Sequence, residues 1–130
     1  MKTAFTALLA AVLAMTASAQ TALPREADVL ASYIEGAAAE HGLDVMCAVG
    51  AVIINRCADG GSIVAEGNAL GIRPSPTPSA MARCAAELVL SGVDITDGAV
   101  IFFHRSDSAL YARFEKLITY SSNGCCFARR

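Results

Sequence analysis

The sequence holds twelve carboxylates, two histidines and five cysteines that can move a proton or bind a metal, and a handful of them stand out by position. Glu35 and Glu40 stand near the start of the chain beside His41, His104 lies further on, and cysteines occupy positions 47, 57, 84, 125 and 126. Carboxyl and imidazole groups are the usual general acids and bases. Five residues separate Glu35 from Glu40, which turns them to different faces of a helix, so they do not form a matched pair. Taken alone, each reads as an ordinary solvated carboxylate. His104 closes an apolar run and reads equally as a capping or packing residue. The metal reading is weak, since there is no C-x-x-C and only the two histidines complement the thiols. Asn55-Arg56 ends a long apolar stretch, either as part of a site or as a solvated helix end with Arg56 on the helix dipole.

The elements that must hold these groups follow from periodicity. Asp44 to Arg56 is the longest apolar run outside the N-terminus, with Val45, Val49, Val52 and Ile53 on one helical face. Cys47, Gly50 and Ile54 fill most of the opposite side, so the helix is apolar nearly all round and must be buried as the central element. Asp44 is its expected N-cap, and Ala48, Gly50 and Ala51 leave room for a neighbouring helix. Residues 25–41 form a preceding helix that carries Glu35 and Glu40, and the short link through Gly42 makes an αα-hairpin. Residues 58–78, broken by four glycines and three prolines, read as an irregular segment, with one helical turn or strand stub at Ile63-Val64-Ala65.

A third helix is expected over 79–91, capped by Thr77 or Ser79 and ended by Gly92. Residues 99–104 read as a strand, 109–116 as a short helix, and 117–120 with 125–128 as a hairpin turning at Asn123-Gly124. Cys47 then reads as a small buried hydrophobe. Cys57 and Cys84 lie on helices that can meet, with connectivity open. Cys125 and Cys126 alternate faces on a strand, so at most one is expected to point inward. The fold class is α+β, a helical hairpin and a third helix packed on a small C-terminal antiparallel sheet.

Residues 1–19 read as a signal peptide: Lys2 in a short n-region, an apolar stretch from Ala4 to Met15, and Ala17-Ser18-Ala19 before Gln20 as the cleavage site. The apolar stretch is shorter than the roughly 20 residues that span a bilayer, so no stable membrane insertion is expected. Residues 20–130 then form one domain, exported to the medium or the cell envelope. The net charge is only −2 without a basic run, which argues against nucleic acid as a partner.

The helix A-V-G-A-V-I-I-N-R, followed by a loop, a helix and V-L-S-G-V-D-I-T-D-G-A-V-I-F-F, resembles the cell-wall hydrolase family typified by the spore cortex-lytic enzyme. Asn55, Arg56, Gly92, Asp94, Thr96, Gly98, Ala99, Phe102 and Phe103 carry the resemblance, with Asn123-Gly124 and Phe127 matching more loosely. It implies a glycan-strand hydrolase or lytic transglycosylase acting on peptidoglycan, with a glutamate late in the first helix as acid/base and no cofactor. Aligning Tyr33-Ile34-Glu35-Gly36 to the family's Y-x-E-A makes Glu35 that acid and adds two residues to the hairpin, which a loop absorbs cheaply. A gapless match instead sets the acid position on Ala37 and a second glutamate on His41. A C-terminal histidine of the family is represented by Cys125 or Cys126. The resemblance implies Glu35 and Glu40 as catalytic candidates and Asn55, Arg56, Phe103 and His104 along the substrate groove. A catalytically silent relative that binds glycan is the alternative.

Overall fold

The structure, a computed structural model, describes residues 25–130. The signal peptide expected over 1–19 lies outside the described residues. Five helices and three strands follow in order: α1 (Glu26–Ala38), α2 (Leu43–Cys57), α3 (Ile63–Ala69), α4 (Ala80–Leu90), β1 (Ile101–His104), α5 (Ser108–Phe114), a 3-10 turn (Glu115–Leu117), β2 (Ile118–Ser122) and β3 (Cys125–Ala128). The chain is α+β, as its periodicity predicts.

Helix α2 is the central element. Every residue from Val45 to Ile53 is buried, as expected for a helix that is apolar on all sides. Its close neighbours depend on Gly50, where a Cβ would stand 2.9 Å from Ile34 Cδ1 and 3.1 Å from Val89 Cγ2. Helices α1 and α4 therefore pack against α2 at that point. The chain turns through 120° between α1 and α2.

The start of α2 differs from expectation. Gly42, not Asp44, is the N-cap, and no side chain caps the end. Asp44 falls in the first helical turn, where its carboxylate is free to reach another element. Helix α1 ends at Ala38, three residues earlier than its periodicity suggests, because the link to α2 needs those residues for its turn. The segment 58–78 is less irregular than its glycines and prolines imply. Ser62 accepts a hydrogen bond from Ala65 N and starts α3, which inserts Ile63 into the core.

The sheet is antiparallel in the order β1–β3–β2. The β2–β3 turn places Asn123 at φ 51° and Gly124 at φ 81°, the left-handed pair that a two-residue hairpin requires. Phe127 faces the helices and joins the main core, whereas Cys126 and Ala128 face the other way with Phe103 and Phe114. Both sheet faces are covered, one by the helices and one by α5, so both vicinal cysteines are packed rather than one alone. All five cysteines are free thiols. Among the described residues no single helix is long and apolar enough to cross a membrane.

Candidate functional site

Glu35 sits on the last turns of α1, where the proline-rich loop is laid against the helix. Ser75 N donates to Ser32 O at 2.9 Å. One turn on, Gly36 has no side chain because the Arg73 carbonyl occupies its place: a Cβ there would lie 2.0 Å from that oxygen. Glu35 Oε1 accepts from Ser79 N at 2.6 Å, at the N-cap of α4. The carboxylate is thus half-buried, at the junction of α1, the loop and α4. One carboxylate oxygen is thus tied to the first turn of α4. Glu40, beyond the end of α1, is exposed.

Past the same end of α1, the helical hairpin meets the sheet. Facing residues of antiparallel neighbours project to one side. Phe102 pairs with Phe127 and His104 with Cys125 across β1–β3, while β2–β3 pairs Tyr120 with Phe127 and Ser122 with Cys125. The helix-facing side therefore carries an aromatic row, Phe102–Phe127–Tyr120, with ring centroids 6.0 and 5.7 Å apart. Beyond it lies a polar row, His104–Cys125–Ser122, at the rim.

The hairpin supplies this rim with a second set of groups. His41 Nε2 lies 3.8 Å from Cys125 Sγ. Asp44 accepts from the Ser122 hydroxyl and, at 3.4 Å, from the Tyr120 hydroxyl. Donation from Ser122 holds the Asp44 carboxyl below the usual carboxylate range, against a smaller opposing effect of burial. Burial and then the Asp44 charge push the Tyr120 hydroxyl up, so the pair meets as carboxylate and phenol. Burial also pushes the Cys125 thiol up, with Cys126 and Asp44 adding to it. Cys125 is therefore a neutral thiol near pH 7, not an activated thiolate.

His104 is exposed on this rim. Its Nδ1 lies 2.6 Å from the Ser106 hydroxyl and 3.1 Å from Ser106 N. Its Nε2 lies over Gly124, where a Cβ would come within 2.9 Å. Phe103 is buried on the other sheet face, 6.0 Å from the Phe114 ring. It packs there and is separated from the rim by the sheet itself.

Asn55 and Arg56 brace the strand β1. Asn55 Nδ2 donates to Ala99 O at 2.9 Å and to Asp94 Oδ2 at 3.0 Å. Asp94 also takes the Thr96 amide and hydroxyl and the Gly98 amide, closing the turn that leads into β1. Burial by itself would raise the Asp94 carboxyl, but the donors from Thr96, Asn55 and Gly98 outweigh it and leave it lowered. Arg56 donates to Val100 O at 3.0 Å and pairs with Glu66 at 3.4 Å. These two residues position the sheet against α2.

Sequence reading gave Asp44 a capping role, met Cys125 only as one of two cysteines in place of a histidine, and passed over Ser122. Asp44 has a local explanation as a cap, and its real partners lie 76 and 78 residues away. Only the Asn-Gly turn hinted at them, since it fixes which hairpin residues share a face.

The fold matches two solved structures closely. The catalytic domain of the Bacillus cereus SleB protein superposes with a TM-score of 0.67 at 19% identity, over 80% of this chain and 89% of that one. The catalytic domain of the germination-specific lytic transglycosylase SleB from Bacillus anthracis gives 0.63 at 21% identity, over 82% and 96%. No family model matches the chain, and no curated protein matches it in sequence.

Proposed function

We propose that this chain is an exported cell-wall lytic domain that cuts the glycan strands of peptidoglycan, with Glu35 as the general acid–base. The observation that carries the reading is the fold, shared over nearly the whole length of a catalytic domain described as a germination-specific lytic transglycosylase. The half-buried setting of Glu35 supports its role. Its Oε1 is anchored by Ser79 N, and the free oxygen is available to protonate a glycosidic oxygen. The substrate's own 6-hydroxyl then closes on the sugar carbon, with Glu35 receiving its proton. A second carboxylate is not required, in contrast to the two used by ordinary retaining and inverting glycosidases. The rim formed by His41, His104, Ser122 and Tyr120 supplies hydrogen-bonding groups for sugar hydroxyls. Removal of the leader after Ala19 delivers the domain to the envelope.

The test is mass analysis of products released from purified peptidoglycan. Anhydro-ended fragments are expected from the parent chain, and ends heavier by one water would mean hydrolysis. Glu35→Gln keeps the acceptor for Ser79 N but not the transferable proton, so release should fall by about 10²–10⁴-fold. Glu40→Gln should have a much smaller effect. Equal release by parent and Glu35→Gln removes Glu35 from the mechanism.

A second reading is a catalytically silent glycan-binding relative. It is favoured by the gapless match to the family pattern, which sets the acid position on Ala37, a residue without a polar side chain. Glycan binding by a folded parent that releases no product would support it.

A further inference from the structure

Two soft donors from distant parts of the chain converge on the rim. His41 lies in the link between α1 and α2, and Cys125 opens β3 just after the Asn123-Gly124 turn. Docking of the sheet on the helical hairpin sets His41 Nε2 3.8 Å from Cys125 Sγ. Both residues are half-buried, so packing holds the pair while solvent still reaches it. A thiol is a weak donor, and at this separation a hydrogen bond gains little. The spacing instead suits one edge of a metal site. Zinc bonds of about 2.3 Å to sulfur and about 2.0–2.1 Å to imidazole nitrogen set those two atoms about 3.6 Å apart at a tetrahedral angle.

The surroundings favour a cation. Asp44, which accepts from the Ser122 hydroxyl, brings a negative charge near Cys125, and the charge that raises the thiol also attracts a metal ion. The donor types narrow the choice of ion. Thiolate and imidazole together suit zinc or copper, whereas magnesium and calcium take oxygen ligands. Among the described residues no group of three histidine, cysteine or carboxylate donors forms, so the remaining positions around the ion fall to water or to a ligand.

We propose that His41 and Cys125 form a two-residue clasp for a borderline-soft metal cation such as zinc. The S–H bond of Cys125 breaks as the metal–sulfur bond forms, and its proton goes to solvent. His41 Nε2 gives its lone pair to the ion, and nothing changes oxidation state. An ion seated there stands on the rim assigned above to sugar hydroxyls. That consequence rests on the function proposed above; the binding itself does not.

The experiment is a calorimetric titration of the purified, untagged and reduced chain with zinc chloride and, in parallel, magnesium chloride. Zinc is expected to bind saturably, one ion per chain, and magnesium not to bind. Cys125→Ser and His41→Gln should each weaken zinc about tenfold or more, since changes outside the ligand set alone cost about 10–100-fold in metal affinity. Cadmium in place of zinc should give a thiolate-to-metal charge-transfer band in the ultraviolet that Cys125→Ser abolishes. Cys84→Ser, at the exposed thiol of α4, should change neither result. His41→Gln alters only the link between two helices, so it decides the matter even if Cys125→Ser fails to fold. Absence of saturable zinc binding, equal binding of magnesium, or indifference to His41→Gln would each overturn the proposal. So would loss of binding in Cys84→Ser, or a cadmium band that survives in Cys125→Ser. The titration reads no glycan cleavage, so its failure and that of the Glu35 reading are separate results.

Discussion

His41 and Cys125 meet through Nε2 and Sγ, 3.8 Å apart, although 84 residues separate them in the chain. The contact joins the helical hairpin to the tip of the β2–β3 hairpin, where Asp44 and Ser122 make a second link beside it. Because burial, with the nearby Cys126 and Asp44, raises the Cys125 thiol, it stays protonated well above neutral pH. Iodoacetamide at pH 7.5 should label Cys125 far more slowly than a free cysteine. The rate should climb only as pH passes above 9. Peptide mapping by mass spectrometry reads this, and fast labelling at neutral pH would mean that His41 activates the thiol.

The turn built on Asp94 predicts an acid limb in the stability curve. Its carboxyl is lowered in the folded chain, so its contribution is fully present above the unfolded value of about 3.9. That contribution is lost as pH falls through the folded value. The parent's melting temperature should therefore drop steeply below about pH 4. Asp94→Asn should melt lower at pH 7 and show a shallower acid limb. Parallel curves for the two proteins would mean that other carboxylates set the acid response.

Gly36→Ala tests how the proline-rich loop is seated beside Glu35. The added methyl would collide with the backbone carbonyl of Arg73, which has no flexible side chain to yield. Overpacking of this kind costs about 1–3 kcal/mol, visible in a denaturant melt. Because the loop also leads to Ser79, activity should fall along with stability. An unchanged melt would show that the loop does not rest on α1.

Val49→Asp should prevent folding. Val49 is 1% exposed in the middle of α2, and an unpaired charge there costs several kcal/mol against a typical total of about 5–15. Circular dichroism and a thermal scan decide it. A cooperative melt near the parent's temperature would remove α2 from the centre of the core.

The sequence by itself determined the elements whose causes are local. The all-round apolar run of α2 can only be stable buried, Ser79 and Gly92 bound α4 through capping geometry, and Asn123-Gly124 permits the left-handed turn of the β-hairpin. The α+β class followed from their order. Local chemistry misassigned Asp44, because a carboxylate two residues after a glycine satisfies the pattern of a cap whether or not the helix starts there. What only the tertiary structure decided is which distant groups share a rim. It brought His41 to Cys125, Asp44 to Ser122, and Glu35 to the amide of Ser79. It also decided which face of β1 meets the helices, so that Phe102 joins the main core and Phe103 packs with Phe114. Those relations arise from how α1 and α2 cross and how the sheet docks on them, and packing of that kind leaves no periodic trace along the chain.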